Sequence, residues 1–127
     1  MSPIRASMIA LTLLACPSEP GRAAPLASDP APLFARCTGR LMAEVEHAWL
    51  LSADPTRTEA ALQDMRDLLA ALPEGRTRGL LSLRTEARAA QRALLETARF
   101  SGNAEKAARA GLIAETLLGQ CRALLPR

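Results

Sequence analysis

The chain of 127 residues contains very few of the residue types that favour β-strands. It has one valine, three isoleucines, two phenylalanines and no tyrosine, whereas alanine and leucine dominate. β-branched and aromatic side chains are enriched in strands, while alanine and leucine are among the best helix formers. This composition excludes a β-sandwich or a β-barrel and predicts an all-α fold. Apolar residues at 49% and charged residues at 23% are ordinary globular values, which argues against disorder of the whole chain.

The chain also lacks the motifs on which most enzymes and cofactor sites depend. It contains a single histidine, and it has no G-x-S-x-G, no P-loop and no G-x-G-x-x-G. Glu44 and His47 form an E-x-x-H pair, but a di-metal helical bundle needs that motif on two helices. A haem held by His47 and Met65 is an alternative, although methionine at core spacing is more often a packing residue. We predict no enzyme, no catalytic residues and no cofactor, with Glu44 and His47 as the only candidate metal ligands.

Residues 1–23 have the features of an export signal. Arg5 is the single charge before an uncharged stretch that runs from Ala6 to Ala15. This stretch has the length of a signal-peptide core and is too short for a transmembrane helix. The sequence therefore predicts an exported protein, either periplasmic or secreted.

Two cleavage routes for this signal remain open. Cleavage after Ala23 would release an ordinary exported protein. Leu13-Leu14-Ala15-Cys16 resembles a bacterial lipobox, so the signal could instead comprise residues 1–15 and leave Cys16 as a lipid-modified N-terminus. Residues 24–32, rich in proline and alanine, are then a linker, and residues 33–127 form the helical domain.

The chain has only three cysteines, and their spacing gives no C-x-x-C motif of a redox or zinc site. Cys16 is either lipidated or removed with the signal, so Cys37 and Cys121 remain as a pair. An isolated pair in an oxidising compartment most simply forms a disulfide, the alternative being two separate buried thiols.

Apolar residues recur at steps of three and four from residue 33 onward, and breaks containing Pro, Gly, Asp or Asn interrupt them. The pattern predicts four helices, at 33–51, 55–72, 77–100 and 104–125. Cys37 lies near the start of the first helix and Cys121 near the end of the last. In an antiparallel up-down arrangement of three helices these points would lie about 25 Å apart, whereas a disulfide requires a Cα separation of about 4.4–6.8 Å. We therefore predict an antiparallel up-down four-helix bundle, with helices 1 and 4 linked by the disulfide.

The charge of the chain is distributed unevenly. Residues 33–74 carry four basic and seven acidic side chains, for a net −3, whereas residues 75–127 carry ten and four, for a net +6. The predicted third helix carries a row of arginines, Arg84, Arg88, Arg92 and Arg99. This row is either a solvated helix face or a basic face that binds an anionic envelope component or an acidic protein. Nucleic acid is not expected as a partner, because the aromatic residues needed for base stacking are missing.

Trp49, Leu50 and Leu51 follow one another at the end of the predicted first helix, so they cannot all face one core. Either one or two of them cap the end of the bundle, or they form an exposed contact for a partner or a second copy.

The segment Phe34-Ala35-Arg36-Cys37-Thr38-Gly39-Arg40-Leu41, followed by Glu46-His47-Ala48-Trp49, is similar to small exported bacterial helical proteins of unknown function. In that group an early cysteine on the first helix is matched by a late one near the C-terminus. The resemblance covers most of residues 34–125 and implies no activity and no functional residues.

These features together predict an exported, non-catalytic helical module that has an interaction or structural role in the cell envelope. Its partner is an unknown protein or an anionic envelope component, and it contacts the membrane only through a lipid anchor at Cys16. The alternative is a ligand or metal binder that uses the bundle interior near His47.

Overall fold

The computed structural model describes residues 28–127, and within that range it contains four α-helices and no β-strand. The helices are α1 (Ala31–Leu50), α2 (Thr56–Ala70), α3 (Arg78–Phe100) and α4 (Ala104–Arg122). The predicted all-helical fold and the number of helices are confirmed. Of the helices in residues 28–127, none has an apolar stretch long enough to span a bilayer.

The helix boundaries follow the local capping chemistry. Asp29 Oδ1 accepts a hydrogen bond from the amide of Ala31 at 2.9 Å, so α1 begins inside the predicted linker 24–32. Asp54 Oδ1 accepts from the amide of Thr56 at 3.0 Å, and Asn103 Oδ1 accepts from the amide of Lys106 at 2.9 Å. Each carboxylate or amide oxygen satisfies an amide that the first helical turn leaves without a partner.

The end of α1 is a sharp turn. The amide of Ala53 donates to the carbonyl of Ala48 at 2.9 Å, and Ser52 adopts a positive φ of 54°. This hydrogen bond and the left-handed residue are the elements of a Schellman-type cap, a position that usually holds glycine. The turn ends the helix directly after Trp49 and Leu50, which leaves these side chains at one end of the molecule.

Helix α1 is the centre of the fold, because it packs against each of the other three helices. Its most extensive neighbour is α3, and Gly39 makes their close approach possible. A Cβ atom at Gly39 would collide with the carbonyl oxygen of Arg84 and would lie 3.0 Å from the amide nitrogen of Arg88. Glycine is required here because no side chain fits between the two backbones. Its backbone conformation is one that other residues could also adopt.

Two clusters of buried apolar side chains make up the core. The first joins α1, α2 and α4 and comprises Cys37, Leu41, Val45, Leu62, Met65, Leu118 and Cys121. The second joins α1, α2 and α3 and comprises Ala31, Ala35, Leu69 and Leu80. The small residues of the second cluster fit the tight approach at the start of α1, whereas the larger residues fill the space shared with α2 and α4.

The predicted disulfide between Cys37 and Cys121 is present. Its Cα atoms are 5.4 Å apart across a sequence separation of 84 residues, and both cysteines are fully buried. Nη1 of Arg40 lies 3.8 Å from Cys121 Sγ. Burial of this guanidinium, together with the nearby charge of Arg36, lowers the pKa of Arg40. The disulfide thus joins the first half of α1 to the last turn of α4, and the guanidinium of Arg40 lies beside it.

Candidate functional site

The predicted basic face of α3 forms ion pairs with α1. Arg88 and Arg92 both pair with the carboxylate of Glu46, and the Arg92 Nη2 to Glu46 Oε2 distance is 2.7 Å. Arg84 is half-buried beside Gly39, and Arg99 is exposed near the end of α3. An anionic ligand would therefore compete with Glu46 for two of the four arginines.

The carboxylate of Glu46 is held in its charged form. Burial raises the pKa of Glu46, but the hydrogen bonds and charges of Arg92 and Arg88 lower it by more, so the net shift is downward. Two guanidinium groups stabilise the ionised carboxylate by more than partial burial destabilises it. No local sequence pattern indicates this cluster, because Glu46 lies 42 and 46 positions before its two arginines along the chain.

A buried glutamine links α3 to both α1 and α4. Gln91 is 1% exposed, and its Nε2 donates to Glu44 Oε1 at 2.9 Å and to the carbonyl oxygen of Ala114 at 3.1 Å. Gln91 was not predicted as a core residue, although its spacing from Ala87 and Leu94 places it on the apolar stripe of α3. Glu44, a candidate metal ligand from sequence, thus accepts a hydrogen bond at a helix contact.

His47 lies on the wall of a surface groove between α1 and α3, and it belongs to neither core cluster. The groove has a volume of about 500 Å³ and is lined by Ala43, Glu46, His47, Trp49, Leu50, Arg92 and Glu96. It lies beyond the close contact at Gly39, toward the C-terminal ends of the two helices. Its lining combines an apolar wall with two carboxylates, one guanidinium and one imidazole.

No metal-binding cluster is visible in residues 28–127, where no group of three or more His, Cys, Asp and Glu side chains lies together. Met65, the candidate haem partner of His47, is fully buried among apolar side chains of α1, α2 and α4. Met65 therefore packs the core, while His47 lies at the surface groove.

Beside the groove, four large apolar side chains are exposed at one end of the molecule. Trp49 is 58%, Leu50 75%, Leu51 38% and Phe100 68% exposed. Leu50 and Glu96 line the same groove, and Phe100 lies one helical turn beyond Glu96, so the ends of α1 and α3 lie together. We call these four residues the apolar tip. All three residues of the Trp49–Leu51 run are exposed, which favours the alternative of an exposed apolar surface over a cap of the bundle end.

The apolar tip includes two of the three aromatic residues of the chain. The third, Phe34, packs against both core clusters. Large aromatic side chains contribute most when buried, so a chain with so few would be expected to place them in its core. Trp49 and Phe100 instead lie at the surface of this structure.

Comparison of the chain with protein-family models, curated proteins and solved structures finds no match. The export signal, its two cleavage routes and the lipidation candidate Cys16 lie outside the described residues.

Proposed function

We propose that the protein is an exported, non-catalytic helical interaction module of the cell envelope, and that the apolar tip is its contact surface. The observation that supports this proposal is the exposure of Trp49, Leu50, Leu51 and Phe100 at one end of the molecule. Contiguous exposed apolar residues of this size mark interaction sites in soluble proteins. Burial of each such side chain in a partner would contribute about 1.5–3 kcal/mol.

The proposal includes an up-down arrangement of the four helices. Cys37, early in α1, bonds to Cys121, late in α4. Glu44, later in α1, and Ala114, earlier in α4, both accept a hydrogen bond from Gln91 and therefore lie close together. The start of α1 packs with Leu80 and its later residue Glu46 with Arg92, both on α3. These pairs support α1 and α3 running in one direction and α4 in the other.

Export is supported by the sequence of residues 1–23 and is compatible with a disulfide, which persists mainly in oxidising compartments. In such a compartment the Cys37–Cys121 bond would lock the core at one end of the molecule. The tip at the other end would then remain available as the contact surface.

A second candidate function is the binding of a small ligand beside His47. The groove volume of about 500 Å³ supports it, since ligand sites span roughly 300–1,000 Å³. An anionic envelope component bound at the basic face has less support, because Arg88 and Arg92 are paired with Glu46.

Photo-crosslinking in intact cells tests the proposed function. A photoreactive residue replaces Leu50 in one strain and Leu33, an exposed leucine near the other end of α1, in a matched control. We expect strong crosslinking of a specific protein from position 50 and little from position 33. Equal or absent crosslinking at the two positions would contradict the apolar tip as the contact surface.

A further inference from the structure

We propose that the partner of the apolar tip is a second copy of this chain. The two copies form a two-fold dimer in which the tips face each other. The side of the tip formed by the α1–α2 turn of each copy lies against the side formed by the α3–α4 turn of the other. This inference rests on the proposed function and identifies the chemistry of its partner.

The first support is that protruding side chains and a groove share one surface. Leu50 and Phe100 are 75% and 68% exposed, and Leu50 lines the groove of about 500 Å³. A two-fold interface uses the same patch on both copies, so that patch must carry both the projecting group and its receptor. Phe100 of each copy can supply the projecting group, and the groove of the other copy offers it the apolar wall of Ala43, Trp49 and Leu50. The charged side chains that also line the groove would then lie at the edge of this contact.

The second support is the charge around the tip. On the α1–α2 side, residues 51–59 expose Asp54, Arg57 and Glu59, a net charge of −1. On the α3–α4 side, residues 99–106 expose Arg99, Glu105 and Lys106, a net charge of +1. The same asymmetry holds for the two halves of the domain, which carry net charges of −3 and +6. In the proposed two-fold arrangement, the α1–α2 side of each copy faces the α3–α4 side of the other. The opposite charges therefore meet at two equivalent contacts.

The size of the patch sets the expected strength of the dimer. The four side chains of the apolar tip are far fewer than the roughly 20–30 residues that each partner contributes to a standard interface. A stable interface buries about 800 Å² on each partner. The tip therefore supplies the centre of the interface and the charged residues supply its rim, so we expect a dimer that dissociates on dilution.

The first test measures the mass of the purified exported protein by analytical ultracentrifugation over a wide concentration range. We expect a reversible monomer–dimer equilibrium. Leu50→Gln combined with Phe100→Gln should weaken it by about tenfold or more, because two central apolar contacts are lost. Leu33→Gln combined with Leu112→Gln, which changes exposed leucines outside the tip, should leave it unchanged.

The second test uses the otherwise unmodified protein and determines the orientation of the two copies. A photoreactive residue at Ala53, in the α1–α2 turn, is activated in a mixture of isotopically heavy and light protein. We expect heavy–light crosslinks to the segment 99–106 of the other copy. Crosslinks that lead mainly back to residues 49–57 would overturn the proposed orientation.

A monomer at every concentration, or equal dimerisation of the tip variant and its control, would overturn the dimer. Flotation of a monomeric protein with phosphatidylcholine vesicles, lost in the tip variant, would also overturn it and assign the tip to a bilayer. If position 50 still crosslinks a different protein in cells, the proposed function stands and only the second copy is wrong. If position 50 crosslinks nothing in cells, the proposed function itself fails.

Discussion

The two ends of α1 differ sharply, although they belong to one continuous helix. At the N-terminal end, Ala31, Ala35 and Cys37 are fully buried, and Gly39 lies against the backbone of α3. At the C-terminal end, Trp49 and Leu50 are exposed, and ion pairs and a groove replace close packing. The protein thus buries its smallest side chains at one end and exposes its largest at the other.

This contrast separates residues that the fold requires from residues that it does not. Small residues at the N-terminal end allow close helix contact, and a disulfide fixes that contact covalently. Leu50 at the other end is 75% exposed, so a polar residue at that position would leave the core intact. We therefore expect changes at the disulfide end to lower stability and changes at the tip to weaken the proposed contact, and each end can be changed separately.

The largest expected effect is on the disulfide end. Cys37→Ser combined with Cys121→Ser should lower the free energy of unfolding by about 2–5 kcal/mol, because the unfolded chain is no longer constrained by a long covalent loop. Urea unfolding followed by circular dichroism measures the change. The tip-dependent association should survive wherever the variant is folded, and an unchanged unfolding midpoint would contradict a structural role for the bridge.

A smaller effect is expected at Gly39. Gly39→Ala should destabilise the protein by about 1–3 kcal/mol, because the added methyl group forces the α1 and α3 backbones apart. Gly119→Ala is the matched control, since nothing lies within 4 Å of a Cβ at that position of α4. This control should be neutral or stabilise the helix by up to about 1 kcal/mol. Thermal melts of the two variants give the comparison, and equal shifts would refute a packing role for Gly39.

Glu46, near the C-terminal end of α1, should contribute less. Glu46→Gln should cost about 0.5–1 kcal/mol at neutral pH, because its two ion pairs remain partly exposed to solvent. The folded state lowers the pKa of Glu46, so its contribution is present above the ordinary value of 4.5 and is lost as pH falls through the lowered pKa. Unfolding measured against pH should show the variant and the wild type converging in acid.

Glu115→Gln is a suitable control for Glu46, because Glu115 is exposed on α4. Its difference from the wild type should be small at all pH values. A Glu46 variant that keeps a constant difference down to strongly acidic pH would show that packing, and not charge, is responsible.

The smallest effect on stability is expected at the tip. Leu50→Gln should change the free energy of unfolding by less than about 0.5 kcal/mol, because the side chain is already 75% exposed. Leu41→Ala, on the same helix but fully buried, should cost about 2–5 kcal/mol. Chemical denaturation of the two variants checks the ratio. A strongly destabilised Leu50 variant would mean that the tip supports the fold and is not a free surface.

Sequence patterns predicted most of the helical core correctly. The buried residues Leu41, Val45, Met65 and Leu118 belong to the apolar repeat at steps of three and four that predicted the helices, because amphipathic periodicity reports which side of a helix faces the core. The cysteine count predicted the Cys37–Cys121 bond. Helix ends agreed to within about three residues, since caps such as Asn103 are local signals.

The candidate site was predictable only in part. His47 and the Trp49–Leu51 run were singled out from sequence, but their grouping with Glu96 and Phe100 was not. The arginine row was visible, whereas its partner Glu46 was not, because ion pairing between helices depends on how the helices cross. Gln91 was missed because a polar residue on an apolar stripe is buried only when neighbouring helices offer it partners.

The sequence by itself determined an all-helical domain, the breaks between its helices, much of the buried stripe of α1, α2 and α4, and the pairing of Cys37 with Cys121. These features depend on local propensity, periodicity and composition, which the chain carries without reference to its packing. Only the tertiary structure decided that α1 would lie at the centre, that Gly39 would admit the backbone of α3, and that Phe100 would join Trp49 and Leu50 at one tip. Those outcomes depend on distances between residues far apart in the chain, which close packing fixes and local pattern does not.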